Sequence, residues 1–276
     1  MLTVVLNALV IITIWKDPFK NLKGIPNYLL LNLAVSDLFV GIPAELLIAL
    51  LQWYPYKGVA KAAEMSVNFG FYASGLTLLV LAVERLIAIS YPLKRAAYLT
   101  YTNLTLRVLC IWLFAGLSAI LPELETDSIF RKRVIIFDSF GILILTLIVA
   151  CYARIFFLVR KCSHRDLTTE AGCEERQCLT ENAGEREKIK RRERSLIRYV
   201  VILVGLLIVC WAPYSALGNI ALFCGKSCVI PDALTTMASW LCFLHPLANP
   251  IAYSSCTRKF RRALWKIICK CNSALL

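Results

Sequence analysis

Two places in this chain put ionisable groups where their types and spacing could do chemistry. Glu84 and Arg85 stand side by side inside the run Leu76 to Leu93, LTLLVLAVERLIAISYPL. Residues 65–83 before them carry no charge and, at about 1.5 Å per residue, are long enough to cross the hydrocarbon core of a bilayer. The pair therefore falls at one end of a membrane span, where it can reach headgroups or a water-filled crevice. It is either an interfacial anchor with its counter-ion or a switch in which Arg85 changes partners as neighbouring helices move. The second place is Asp37, in LNLAVSDLFVG. A carboxylate at mid-span is costly without a partner, which marks it as functional.

The elements that must position these groups are apolar spans. Of 276 residues 59% are hydrophobic and only 18% charged, and the mean hydropathy is +0.66, which excludes a soluble domain of this size. The net charge of +13 does not indicate nucleic acid, because the basic residues are distributed by loop and not along one soluble face. Of twelve cysteines, Cys110, Cys151, Cys210 and Cys242 sit in apolar spans as small hydrophobes, so the set is not a disulfide framework.

Seven spans can be marked: Met1 to Trp15, Tyr28 to Leu51, residues 65–83 and Leu104 to Leu121 come first, then Val134 to Val159, Val200 to Phe223 and Ala233 to Tyr253. The first is shorter than the roughly 20 residues a crossing needs, so a helix missing its first turns and an outer tail is expected. Asn7 within it reads as an interhelical hydrogen-bond anchor. Pro43 should kink the second span and Pro213 the sixth. Residues 160–189 read as a flexible loop feeding a basic helical extension, and 256–270 as an amphipathic basic helix. Only Lys57, Lys61, Arg131, Lys132, Arg133 and Lys226 fall in one set of loops. The rest of the 31 Lys and Arg fall in the other, which places the C-terminus in the cytosol and the N-terminus outside.

A transporter or channel should show internal repeats, discontinuous helices in both halves or a charged pore, and none is present. An enzyme is not expected. Cys162, His164, Cys173 and Cys178 match no zinc spacing. Cys224 and Cys228, flanking Gly225 outside the membrane, are spaced for a bridge. Cys269 and Cys271, beside the last basic helix, are expected palmitoylation sites.

Asn7, LAVSD ending at Asp37, Glu84-Arg85 with AISYPL after it, Trp112, Tyr152, CWAP at 210–213, NPIAY at 249–253 and Phe260 occur in one order and register. With them the whole chain resembles the rhodopsin-like G-protein-coupled receptors. The resemblance implies an all-α membrane protein, a seven-transmembrane helix bundle with a short amphipathic eighth helix, in one receptor domain over residues 1–276. It implies that an extracellular ligand activates a heterotrimeric G protein through outward movement of helix six. A transporter, a channel or a truncated silent receptor is the alternative.

The same resemblance assigns residues. Glu84, Arg85, Pro92, Leu93, Tyr152, Glu193, Asn249, Pro250 and Tyr253 would form the coupling surface and switch, with Glu84 and Glu193 holding Arg85 at rest. Asp37, Ser74 and Asn249 would form a sodium pocket. His245 belongs to the same pocket, in a place where Asn or Ser is usual; either its protonation would substitute for or compete with the cation, or it is a neutral histidine hydrogen-bonded in the core. Glu64, Val67, Asn68, Phe71, Phe137, Phe140, Trp211, Tyr214, Ser215 and Ser239 would line a mostly apolar site for a small molecule, lipid or peptide. Glu45 lies near its mouth and, with Glu64, would bind calcium. Val67 stands where amine receptors carry an aspartate, and Phe243 where opsins carry the retinal lysine, so a Schiff base is excluded. The short second outer loop, no cysteine at the outer end of helix three, Ile144 in place of a helix-five proline and the Cys224–Cys228 pair resemble the melanocortin, lysophospholipid, cannabinoid and adenosine receptors, melanocortin receptors most.

Overall fold

A computed structural model describes the backbone of residues 1–54, 56–91, 98, 100–120, 129–169, 179–224 and 229–272. Within these stretches, side chains 44, 129–137, 159–169, 179–200, 203, 256 and 270–272 are outside the description. Eight helices occur among the described residues: α1 (Leu2–Lys16), α2 (Ile25–Trp53), α3 (Lys57–Ser90), α4 (Tyr101–Ile120), α5 (Ile129–Thr169), α6 (Leu179–Cys224), α7 (Asp232–Cys256) and α8 (Arg258–Asn272). Five stretches are long and apolar enough to cross a membrane: α2, α3, α4, Asp138–Leu158 of α5 and Val204–Cys224 of α6. The shorter α1 is equally apolar, whereas α7 has the length but interrupts its apolar run with His245, Asn249 and several hydroxyls.

Helix α3 is the central post, packing on α2, α4 and α5 and touching α6. Leu78, Leu81 and Ala82 on it are buried against Leu29 and Leu33 of α2, Ile144 and Ile148 of α5 and Tyr253 of α7. Outward-facing leucines and aromatics stay exposed, among them Leu106, Leu109, Leu113 and Leu117 on α4 and Phe156 and Phe157 on α5. A surface of this kind belongs in lipid.

Local sequence explains the turns and breaks. Asp17 closes α1 in the left-handed conformation (φ 33°), and its carboxylate accepts the backbone N–H groups of Asn21 and Leu22, both at 3.0 Å. Pro26 then starts α2 in a first turn that needs no intrahelical donor. Pro43 does more than kink α2: because it cannot donate a helical hydrogen bond, Val40–Ala44 opens into a π turn. The α3 backbone presses against this turn at Gly70, where any Cβ would overlap the Val40 side chain.

Two boundaries differ from the sequence reading. The stretch 160–189 is not one loop: α5 continues to Thr169 and α6 begins at Leu179, with 170–178 outside the described residues. Glu, Lys, Arg and Leu are good helix formers, so polarity alone did not end either helix. The last helix is Arg258–Asn272 and not 256–270, because the chain leaves helical geometry at Thr257.

Candidate functional site

The polar residues of the bundle form three groups along α3. Towards the C-terminal end of α3, Glu84 is fully buried and Arg85 nearly so, with Arg85 Nε 3.2 Å from Glu84 Oε2. Tyr152 on α5 lies close enough to feel both charges, and its buried hydroxyl has no hydrogen-bond partner among the described residues. Tyr253 takes a different post. Its hydroxyl donates to Asn27 Oδ1 at 3.1 Å and its ring packs on Phe260 of α8 at 4.2 Å between centroids. This anchors the end of α7 to α2 and α8, while Lys266 sits 4.5 Å above the Phe19 ring in the first loop. The Glu193 side chain and residues Pro92 and Leu93 lie outside the described residues.

In the middle, Asp37 is completely buried. Ser74 Oγ donates to its Oδ1 at 2.9 Å and Asn249 Nδ2 to its Oδ2 at 2.8 Å, so one carboxylate joins α2, α3 and α7. Ser36 and Ser74 hydroxyls meet at 3.0 Å. Asn249 Oδ1 is buried without a partner, and a cavity of about 10 Å³ lined by Asn7, Asp37, Asn249 and Tyr253 lies beside it. Asn7 donates to the Pro246 carbonyl at 3.0 Å. That carbonyl is the one Pro250 cannot serve, which gives the interhelical anchor its reason. Trp112 donates to Asn32 Oδ1 at 2.9 Å and Asn32 donates to Thr77 Oγ1 at 2.8 Å, tying α4, α2 and α3 one layer further in.

His245 corrects one expectation. It is buried, yet neither ring nitrogen has a hydrogen-bond partner among the described residues, and the Phe71 ring lies 6.5 Å away between centroids. The Asp37 carboxylate is taken by Ser74 and Asn249, and the hydrogen bond expected of the histidine is not made to any described residue.

The outer half is rearranged most. Glu45 directly follows the π turn and accepts from Thr3 Oγ1 at 3.2 Å and the Met1 amine at 2.8 Å on the α1 side. Glu64 instead lies near Tyr214 on α6. Phe140 belongs to a wall with Phe114 (stacked, 4.7 Å) and Tyr72 (edge-on, 5.4 Å), towards α4. Phe71 and Trp211 face the interior, Val67 and Asn68 are half-buried, and Ser239 donates to its own helix at Thr235. Trp211 packs directly on the α5 backbone at Gly141, where a Cβ would overlap its ring. The Phe137 side chain is outside the description. Cys224 is disulfide-bonded, while its expected partner Cys228 lies outside the described residues. Cys269 is free and exposed, and the Cys271 side chain is not described.

Sequence reasoning passed over Asp138. It is buried on α5, where Ser215 Oγ donates to Oδ1 at 2.8 Å and Asn219 Nδ2 donates to Oδ2. The available signal was the i, i+4 spacing of Ser215 and Asn219, which puts both donors on one face of α6.

A membrane bundle with a buried acid-base pair at one end and a polar hub through its centre defines a seven-helix receptor. The family model described as 7 transmembrane receptor (rhodopsin family) matches residues 6–253, and the chain belongs to that family of G-protein-coupled receptors. It is 26% identical over 283 residues to a Gq-coupled rhodopsin of Mizuhopecten yessoensis, covering 92% of this chain and 55% of that protein. It is 27% identical to somatostatin receptor type 4 of Rattus norvegicus (95% and 68%) and 23% identical to 5-hydroxytryptamine receptor 1B of Mus musculus (96% and 83%). The chain thus spans little more than half of the first of these relatives.

Proposed function

We propose that the protein is a plasma-membrane receptor that turns the binding of an extracellular ligand into nucleotide exchange on a heterotrimeric G protein. The observation that carries this reading is Arg85, a nearly buried guanidinium held by its sequence neighbour Glu84 at the inner end of the central helix. An ion pair in low-dielectric surroundings is strong, yet each partner is costly when exposed alone. Outward movement of α6 opens a crevice into which Arg85 turns, offering its donors to the C-terminal helix of the G-protein α subunit. Tyr152, whose hydroxyl waits near the pair, supports the released guanidinium. Glu193 is a second resting partner, and Leu93 after Pro92 supplies an apolar knob to the same partner protein.

Asp37, Ser74 and Asn249 present oxygens suited to a sodium ion, and the unpartnered Asn249 Oδ1 beside the small cavity fits that use. A bound cation would add charge compensation to Asp37 and favour the closed packing of α2, α3 and α7. The N-terminus lies outside and the C-terminus in the cytosol, as the distribution of Lys and Arg requires. α8 lies on the inner membrane face, with Cys269 and Cys271 available for palmitoylation. The bond at Cys224 supports the finer likeness to melanocortin receptors.

The test is nucleotide exchange on purified G protein in vesicles carrying the receptor. Arg85→Ala should abolish receptor-dependent exchange with the amount of receptor in the membrane unchanged. Exchange equal to that of the unsubstituted receptor would remove the switch.

A further inference from the structure

The outer ends of α5 and α6 hold a buried carboxylate that the switch and the central hub leave without a task. Asp138 is 5% exposed, and both its oxygens accept, one from Ser215 and one from Asn219. Both donors are neutral, and Asn219 also donates to the Ser215 carbonyl, so they form one small fixed cradle on α6. None of the described Lys, Arg or His residues makes an ion pair with Asp138. An anion held out of water with only neutral donors among the described residues is suited to a counter-charge from a ligand.

What surrounds it suits a cation. Tyr72 of α3 and Tyr214 of α6 lie within reach of the Asp138 charge, and Tyr214 is also within reach of Glu64. Two tyrosines thus lie near the carboxylate and an exposed acid lies near one of them, surroundings that favour a positive group. Phe140 and Phe114 close the side towards α4. In the span Val134 to Val159 Asp138 follows four apolar residues, Val134 to Phe137, so it stands about one turn inside the start of that span and not at its middle.

We propose that Asp138, cradled by Ser215 and Asn219 between α3, α5 and α6, is the anionic anchor for an extracellular ligand bearing a protonated amine, amidine or guanidine. The inference rests on the receptor reading and names its ligand class. It also revises the expectation drawn from Val67: the counter-ion missing from α3 is supplied from α5. A cation at Asp138 draws the carboxylate off α6 and frees Ser215 and Asn219 for the ligand's polar groups, which loosens the outer contact between the two helices.

The test uses the full chain purified in phosphatidylcholine nanodiscs, with phenethylamine and benzamidine as probes and 2-phenylethanol as the uncharged control, reading the unfolding midpoint against probe concentration. Both cations should raise the midpoint saturably and the alcohol should not. Asp138→Asn, which keeps an acceptor for Ser215, should need at least tenfold more of either cation. Asp138→Glu, which keeps the charge, should retain the preference for cation over alcohol, and serves alone if the asparagine variant does not fold. A response equal in the asparagine variant, equal for alcohol and amine, or absent altogether would overturn the proposal. Arg85-dependent nucleotide exchange is scored on the same preparation. If it persists while the cation response fails, only this site falls; if the cation response holds without exchange, the receptor reading falls.

Discussion

Asp37 and Asp138 are chemically the same device placed in two settings. Each is a buried carboxylate with one hydroxyl and one amide donating to it. Asp37 draws its donors from two helices, α3 and α7, with no exposure at all, whereas Asp138 draws both from α6, about one turn inside the start of its span. The first therefore locks three helices into one packing. The second binds a single neighbour that can let go. Depth and the number of helices joined, more than the side chain, separate a structural hub from a site open to ligand.

That contrast can be broken by substitution. Asp37→Ala leaves Ser74 and Asn249 buried without their acceptor and should cost about 3 kcal/mol, read as a lowered unfolding midpoint in nanodiscs. Gly141→Ala, midway between the two settings, forces a methyl group into the Trp211 ring and should cost about 2 kcal/mol, with a changed tryptophan emission spectrum as its signature. Asp138→Ala should cost only about 1 kcal/mol, since Ser215 and Asn219 are part-exposed and can turn to water. Equal losses at Asp37 and Asp138 would erase the distinction.

The sequence made Asp37 legible and Asp138 not, for a physical reason. Asp37 interrupts a long apolar run, so its cost is visible without knowing its partners. Asp138 sits at the edge of its run, close to Arg131, Lys132 and Arg133, where a carboxylate reads as an interfacial residue. Its partners lie 77 and 81 residues away, and only the packing of α5 on α6 brings them together. The same limit governs Glu45. The proline was visible, but whether it kinks the helix or opens a π turn depends on α3 pressing at Gly70, and that choice decides which neighbour the acid meets. The seven spans, Asn7 as an anchor and the Glu84–Arg85 pair needed only composition and order. The extent of α5 and α6 beyond the apolar layer did not follow from polarity, because a charged sequence is as free to be helix as loop.

The central claim is that Glu84 restrains Arg85 and that releasing it activates a G protein. It is tested most directly by ligand-independent nucleotide exchange on Glu84→Gln, Arg85→Ala and the double variant, at matched receptor density. Glu84→Gln removes the charge that holds the guanidinium and should raise basal exchange several-fold, while the double variant should fall to the level of vesicles without receptor. A Glu84→Gln receptor no more active than the unsubstituted one, or a double variant that keeps the raised activity, would contradict the account.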